Sequence, residues 1–170
     1  MIPLEVAPLT AEAFAPWGDV IEARGAPDRL INQGMCGRHH DLARLDFGDG
    51  YAGLSLFDAK ARHLPHVVDM VERHPEGSQA FMPVSGARFL VVVANDDGGV
   101  PVRPRAFVTA PGQSVNLMRG VWHGVLAPLD AAGQFVVLDR IGEGPNLEEH
   151  WFDTPYVVET VPDFWGAPAT

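Results

Sequence analysis

Three residue types that commonly bind metal ions, a carboxylate, an imidazole and an amide, occur close together as Glu72, His74 and Gln79. The apolar run before them predicts a β-strand over residues 67–74. Side chains alternate along a strand, so Glu72 and His74 share one face with their Cα atoms about 7 Å apart. A carboxylate and an imidazole at that spacing can converge on one ion. The turn at residues 75–78 then reverses the chain, and Gln79 can point back to the same place.

A fourth candidate, His123, lies in a glycine-containing stretch much later in the chain. Gly112 marks a tight turn that starts a strand, and Gly120 lets the chain bend shortly before His123. Taken alone, a histidine in this setting is typical of a hydrogen-bonded residue. What distinguishes His123 is its spacing along the chain from Gly112 and Gly120.

Short apolar runs separated by turns must position these four residues. The candidate strands cover residues 53–57, 67–74, 79–84, 87–94, 103–109, 114–118, 121–126 and 135–141. The run at residues 89–93 is apolar at every position, so we expect it to lie centrally in a sheet. Strands at this close spacing predict an all-β fold, an antiparallel sandwich or small barrel.

The ends of the chain are predicted to be less regular. Thr10 can cap a short helix, with Glu12 in its first turn, Pro16 limiting its length and Gly18 able to end it. Residues 24–41 predict an extended loop with at most a short strand. We expect one domain over residues 1–170, with an irregular C-terminal arm from about residue 145.

The composition is that of an ordinary globular domain. A chain of 170 residues with 46% hydrophobic and 20% charged residues can bury a sizeable core without disulfides. The net charge of −10 makes nucleic acids and anionic membrane surfaces poor partners. No apolar window approaches a membrane span, and the N-terminus lacks the features of a secretion signal. The single cysteine, Cys36, fits a reducing compartment, so we expect a cytoplasmic protein.

The two spacings resemble the paired motifs of the cupin superfamily of β-barrels. The positions of histidine, histidine, glutamate and glycine in the first cupin motif are occupied here by Glu72, His74, Gln79 and Gly86. Those of glycine, proline, glycine and histidine in the second are occupied by Gly112, Met118, Gly120 and His123. The resemblance implies a metal site formed by Glu72, His74, Gln79 and His123. Two nitrogens, a carboxylate oxygen and an amide oxygen suit a divalent ion such as nickel, zinc or manganese.

The departures from the common cupin pattern point to a narrower family. Residues 71–83, with the string Glu-x-His-Pro…Gln-x-Phe-x-Pro, resemble the signature of the ureidoglycolate lyases. Further similar segments are residues 9–21, 31–34, 38–42, 90–94, 105–107 and 121–123. The resemblance covers residue 4 to about residue 141 in the correct order. It implies a homodimeric cupin barrel, usually associated with nickel, that cleaves ureidoglycolate to glyoxylate and urea in allantoin (purine) catabolism.

The chemistry implied by this resemblance needs a base for the hydroxyl proton, an acid for the departing nitrogen and a cation for the substrate carboxylate. Glu72 is the first choice of base, and a histidine of the site such as His74 is the alternative. Arg105 is expected to hold the carboxylate, because a guanidinium presents a planar fork to two oxygens. The residues expected to close over the mouth and bind the ureido group are Asn32, Gln33 and Arg38.

Other interpretations stay open on the residues alone. Glu72 and Arg73 can form a solvated charge pair, and Arg38 can pair with Asp41 or Asp46 instead of substrate. An amidohydrolase that acts on the same ureido acid and releases ammonia would have the same composition, so only the resemblance favours urea. A cupin barrel that binds a small acid without turning it over is the third alternative. The lack of a basic patch or a helical extension disfavours a sensor of that kind.

Overall fold

The computed structural model describes residues 1–165. This part of the chain is almost entirely β-structure, with one short helix near the N-terminus. In chain order the elements are β1 Ile2–Pro3, β2 Val6–Pro8, α1 Ala11–Phe14, β3 Gly18–Ile21, β4 Arg29–Ile31, β5 Cys36–Arg38, β6 Tyr51–Ala59, β7 His66–Arg73, β8 Gln79–Pro83, β9 Phe89–Asp97, β10 Val100–Val108, β11 Ser114–Leu117, β12 Trp122–His123, β13 Ala127–Pro128, β14 Gly133–Ile141 and β15 Glu148–Val158.

Two sheets contain most of these strands. The larger sheet has the order β1-β15-β7-β12-β9-β10-β2, with β13 also paired to β9. The smaller sheet has the order β3-β11-β8-β14-β6. The strands β4 and β5 form a separate two-stranded hairpin.

The main core lies between the two sheets. Phe107 and Val93 from the larger sheet and Phe135 from the smaller sheet are fully buried in one apolar cluster. Phe14 of α1 joins them, and its ring meets that of Phe107 edge to face at 5.7 Å. Each sheet therefore buries its inner face against the other. The predicted all-β fold with a short N-terminal helix is confirmed.

The apolar run at residues 89–93 occupies the position that its composition predicts. It lies in β9, which is hydrogen-bonded to β10 on one side and to β12 and β13 on the other. The first six residues of β9 are all buried. Val91 and Val93 face the main core, whereas Leu90 and Val92 belong to a second apolar cluster on the other face. Because both faces of the strand are covered, it shows no polar alternation.

The predicted helix start is present, although the helix is short. The Thr10 hydroxyl accepts a hydrogen bond from the Ala13 amide at 3.2 Å, as an N-cap does. The helix ends at Phe14, and β3 begins at Gly18. A Cβ atom at Gly18 would lie 1.9 Å from the carbonyl oxygen of Asn116, so glycine is required for β3 to approach β11 this closely.

The C-terminal region differs from the prediction. An irregular arm was expected from about residue 145, but Glu148–Val158 forms the strand β15, which pairs antiparallel with β7 and parallel with β1. The pairing changes register between Trp151 and Tyr156, and Pro155 lies in the interruption. A bulge and a proline break the alternation of apolar side chains, so periodicity does not identify the strand. The last residues of the predicted arm, 166–170, lie outside the described residues.

Two further segments differ in detail from what the sequence predicts. Residues 24–41, predicted as a loop with at most a short strand, contain the hairpin β4–β5. The predicted strand at residues 121–126 is reduced to β12, after which the Gly124 amide donates to the carbonyl of Val92. Within residues 1–165, no helix has the length and apolar character that crossing a bilayer requires.

Candidate metal centre

Glu72 and His123 come from neighbouring strands of the larger sheet. The short strand β12 lies between β7 and β9, and His123 is paired with Glu72 on one side and with Val93 on the other. Residues directly opposite each other on paired strands have side chains on the same face of the sheet. Since Val93 is part of the main core, the register directs His123 and Glu72 into the space between the two sheets.

Gln79 reaches the same space from the smaller sheet. It is the first residue of β8, where it is paired with Asp139 of β14 and Leu117 of β11. Its Nε2 donates to Oδ2 of Asp139 at 3.2 Å. This hydrogen bond orients the amide, so that Oε1 lies 3.2 Å from Nε2 of His74. The four residues therefore meet between the sheets.

The distances within the cluster are those of a compact site. Nε2 of His74 is 4.0 Å from Oε1 of Glu72, and the His74 and His123 ring centroids are 5.4 Å apart. One ligand atom from each of Glu72, His74 and His123 lies within 4.8 Å of the other two. Metal–nitrogen and metal–oxygen bonds of about 2.0–2.2 Å span donors up to ~4.4 Å apart. Donors as much as 4.8 Å apart exceed that span only slightly, so small side-chain movements make these three residues compatible with one divalent ion.

The backbone determines which nitrogen of His74 carries hydrogen. Nδ1 lies 2.7 Å from the carbonyl oxygen of Asn146. A carbonyl oxygen only accepts hydrogen bonds, so Nδ1 must be the donor. In the neutral ring Nε2 then presents a lone pair toward Gln79 Oε1 and the Glu72 carboxylate. The hydrogen bond to a carbonyl also holds the ring in place, as is usual for metal-binding histidines.

His123 is arranged in the same way. Its Nδ1 lies 3.1 Å from the carbonyl oxygen of Gly124, which makes Nδ1 the donor and leaves Nε2 with a lone pair. Nε2 is buried and has no hydrogen-bond partner among the described residues. Burial lowers the pKa of His123 to about 3, and the nearby His74 contributes to the same shift. The ring is therefore neutral at pH 7, the form in which histidine binds metals.

Glu72 supplies the negative charge of the cluster. Burial raises the pKa of the Glu72 carboxyl, His74 acts in the opposite direction, and Glu149 on the adjacent strand adds to the rise. The carboxylate is therefore a better proton acceptor than an exposed glutamate.

The cluster as a whole consists of lone pairs facing one another. Nε2 of both histidines, Oε1 of Gln79 and the Glu72 carboxylate converge, and the hydrogen atoms of these groups are bonded elsewhere. Buried acceptors that face each other are stabilised by a positive charge among them. The donor set of two nitrogens and two oxygens fits a divalent ion such as nickel, zinc or manganese.

Arg105 lies away from the contacts of this cluster. Its side chain is exposed, and the guanidinium carbon lies 5.9 Å from the ring centroid of Trp17 and 5.7 Å from that of Phe107. No contact among the described residues joins it to the four cluster residues. Its role in binding a carboxylate stays a prediction.

Asn32, Gln33 and Arg38 lie together on the β4–β5 hairpin. Asn32 and Gln33 form its turn with φ values of 51° and 60°, and Arg38 is the exposed last residue of β5. Arg38 makes no ion pair with Asp41 or Asp46 in the described structure, so that alternative is not realised. No described contact joins the hairpin to the cluster either, and its role in binding substrate stays a prediction.

Three residues that the sequence analysis did not single out hold the cluster in place. They are Asn146 and Gly124, whose carbonyls accept from the histidines, and Asp139, which accepts from Gln79. Asp139 had a sequence signal, since it interrupts the apolar run of β14 with a carboxylate. The other two act through backbone carbonyls, which every residue carries, so no pattern of residue types reveals them.

A family model and individual known proteins identify the same family for this chain. The family model for ureidoglycolate lyase matches residues 1–159. The chain is 66% identical to a ureidoglycolate lyase of Rhodobacter capsulatus, over 92% of this chain and 98% of that protein. It is 53% identical to ureidoglycolate lyase 2 of Rhizobium meliloti, over 94% of this chain and 99% of that protein. It is 51% identical to a ureidoglycolate lyase of Agrobacterium fabrum, over 91% and 95% respectively.

The role of Asp139 in orienting Gln79 can be tested by metal affinity. Asp139→Ala frees the Gln79 amide to rotate, and we expect the affinity for Ni²⁺ to fall about 10- to 100-fold, as for other residues that orient metal ligands. Competition with a chelating dye measures this affinity. Asp58→Ala is the matched control, because it removes the same carboxylate–glutamine hydrogen bond, to Gln134, at an exposed position. Equal affinities for Asp139→Ala and the unmodified protein would contradict the assignment.

Proposed function

Since this chain belongs to the ureidoglycolate lyase family, we propose that it is a carbon–nitrogen lyase that cleaves ureidoglycolate to glyoxylate and urea. The observation that carries the proposal is the convergence of Glu72, His74, Gln79 and His123 between the two sheets. The matched relatives extend over nearly their whole length, so the family assignment covers all four residues.

The reaction requires proton transfers but neither water nor a redox step. One carbon of ureidoglycolate bears a hydroxyl, a carboxylate and a ureido nitrogen. Loss of the hydroxyl proton lets the oxygen form a carbonyl while the carbon–nitrogen bond breaks. The departing nitrogen takes up a proton, and the products are glyoxylate and urea. A base beside the hydroxyl is therefore the first requirement.

We assign this base to Glu72, with His74 as the alternative. The Glu72 carboxylate lines a cavity in which a small molecule can lie, and it has no hydrogen-bond partner among the described residues. Its partial burial favours uptake of a proton. A carboxylate that is partly desolvated and open to a cavity is suited to accept the hydroxyl proton, so that Glu72 doubles as metal ligand and proton acceptor.

We propose that Glu72, His74, Gln79 and His123 hold a divalent ion, and that the ion is nickel, the metal associated with the family. Support comes from the neutral His123 ring, whose buried Nε2 has no other partner in the described structure. The bound ion supplies a Lewis acid for the negative charge that develops on a substrate oxygen. Zinc and manganese fit the same donor atoms.

We propose that the chain acts as one catalytic domain in the cytoplasm, within allantoin catabolism. Cys36 supports a reducing compartment, because it is a free and exposed thiol.

We also propose that the protein is a homodimer. Leu54 and Leu56 on β6 are 74% and 64% exposed, although both are large and apolar. They pair with Leu138 and Val136 of β14, so the four side chains form one apolar strip at the edge of the smaller sheet. Such strips mark interaction surfaces. With a net charge of −10 on each chain, two copies meet with least repulsion along an uncharged strip.

The reaction can be tested by product analysis. Protein purified without a histidine tag is incubated with racemic ureidoglycolate, and glyoxylate, urea and ammonia are measured. We expect glyoxylate and urea in equal amounts, loss of both with a chelator, and recovery on adding Ni²⁺. Release of ammonia would indicate an amidohydrolase, and binding without turnover would indicate a non-catalytic cupin.

The role of Glu72 can be tested by removing its charge. We expect Glu72→Gln to lower kcat about 100- to 10,000-fold, because an amide cannot accept the hydroxyl proton. The measurement is made with Ni²⁺ in excess, and bound nickel is determined in the same sample. Glu12→Gln, an exposed glutamate of α1, serves as the control and keeps full activity. Turnover retained by Glu72→Gln at normal metal content would rule out this assignment.

The dimer proposal can be tested by charging the strip. Sedimentation equilibrium is expected to give twice the chain mass of 18.4 kDa for the unmodified protein and one chain mass for the Leu54→Lys/Leu56→Lys variant. Val100→Lys, which changes an exposed apolar residue on the other sheet, should leave the dimer intact. A monomeric unmodified protein, or a dimeric double variant, would contradict the proposal.

A further inference from the structure

Most of the arginines among residues 1–165 are already paired with carboxylates. The pairs are Arg24–Glu22, Arg44–Asp19, Arg73–Asp96 and Arg73–Glu148, Arg88–Asp130, Arg119–Glu76 and Arg140–Asp49. Lys60 and Arg62 have neither an ion pair nor a side-chain hydrogen bond within the described residues, a property that they share with Arg29, Arg38, Arg103 and Arg105. Lys60 and Arg62 differ from those four in their position beside Glu72 in one cavity lining. Both are exposed and lie in the connection between β6 and β7, where the chain crosses from the smaller sheet to the larger.

These two cations line the same cavity as Glu72. The cavity has a volume of about 530 Å³ and is open to solvent. Phe57, Val125 and Leu126 form its apolar wall. A small polar acid that enters this cavity therefore meets a lining that contains both the two cations and the proposed base.

Local contacts hold the connection in this position. The backbone amide of Arg62 donates to the carbonyl of Pro128 at 2.7 Å. Asp58, the other carboxylate of the cavity wall, accepts a hydrogen bond from Gln134, so it is occupied by a neighbour on its own sheet. The charges of Lys60 and Arg62 are thus available to a ligand.

We propose that Lys60 and Arg62 bind the carboxylate of the substrate. This inference rests on the proposed function, which supplies a substrate with one carboxylate beside the reacting carbon. The two cations of the cavity lining hold that carboxylate, and the neighbouring hydroxyl is thereby presented to Glu72, which lines the same cavity. They also offset the repulsion that Glu72 and the net charge of −10 exert on an anion.

Arg105 is the competing candidate for this role. Its guanidinium lies over the rings of Trp17 and Phe107, and none of the described cavities is lined by both Arg105 and a cluster residue. Lys60 and Arg62, by contrast, line one cavity together with the cluster residue Glu72. Changing Lys60, Arg62 and Arg105 separately to glutamine therefore shows which of these cations binds the carboxylate.

The kinetic test uses Lys60→Gln, Arg62→Gln and the double variant. We expect each single change to raise KM for ureidoglycolate about 5- to 20-fold, with a larger rise in the double variant and kcat within about threefold of the unmodified enzyme. Arg62→Lys should recover part of the loss, because it keeps the charge but not the fork. Arg103→Gln is the matched control, an exposed arginine without an ion pair in the described structure, and leaves KM unchanged. An unchanged KM in the double variant, or a comparable rise in Arg105→Gln alone, overturns the proposal.

A binding measurement separates this proposal from the proposed function. Oxalurate has a carbonyl in place of the hydroxyl-bearing carbon, so it keeps the carboxylate and the ureido group but cannot be cleaved in the same way. Calorimetry is expected to show a Kd for oxalurate about 10- to 100-fold higher in the double variant, and equal affinities of both proteins for the neutral amide of oxalurate. If oxalurate binding depends on the two cations but no urea is released, the proposed function fails and the carboxylate site stands. If urea is released and oxalurate binds both proteins equally, the carboxylate site fails and the function stands.

Discussion

Three hydrogen-bond acceptors around the cluster decide which atoms face its centre. The carbonyls of Asn146 and Gly124 each take the Nδ1 hydrogen of a histidine, and the carboxylate of Asp139 takes an amide hydrogen of Gln79. What remains inside is a set of lone pairs and one negative charge, an environment that favours a cation. The two sheets must stay packed for this arrangement to persist, because its residues come from both.

The parts of this arrangement that depend on local spacing were predictable from the sequence. Glu72 and His74 are two residues apart at the end of a strand, so alternation places them on one side. The turn before Gln79 and the buried run of β9 are equally local signals. The family resemblance added His123, because the pairing of distant motifs cannot be derived from either motif alone.

The parts that depend on long-range packing were not predictable. The bulge and Pro155 interrupt the alternation of apolar side chains in β15, so the sequence does not reveal this strand. Its pairing with β7 depends on how the whole sheet assembles. Asn146 acts through a backbone carbonyl far along the chain from His74, so its residue type carries no signal. The position of Lys60 and Arg62 in one cavity lining with Glu72 also depends on how the two sheets pack against each other, which no local pattern reveals.

The strand β12 is only two residues long, yet it separates β7 from β9 in the larger sheet. So short a strand contributes few ladder hydrogen bonds to this junction of the larger sheet. An ion shared by His123, His74 and Gln79 would act there as a cross-link between segments that are remote along the chain, and such links stabilise a fold by restricting its unfolded ensemble. Binding of that ion would then be coupled to the cohesion of the larger sheet, and amide hydrogen exchange around β12 would report it.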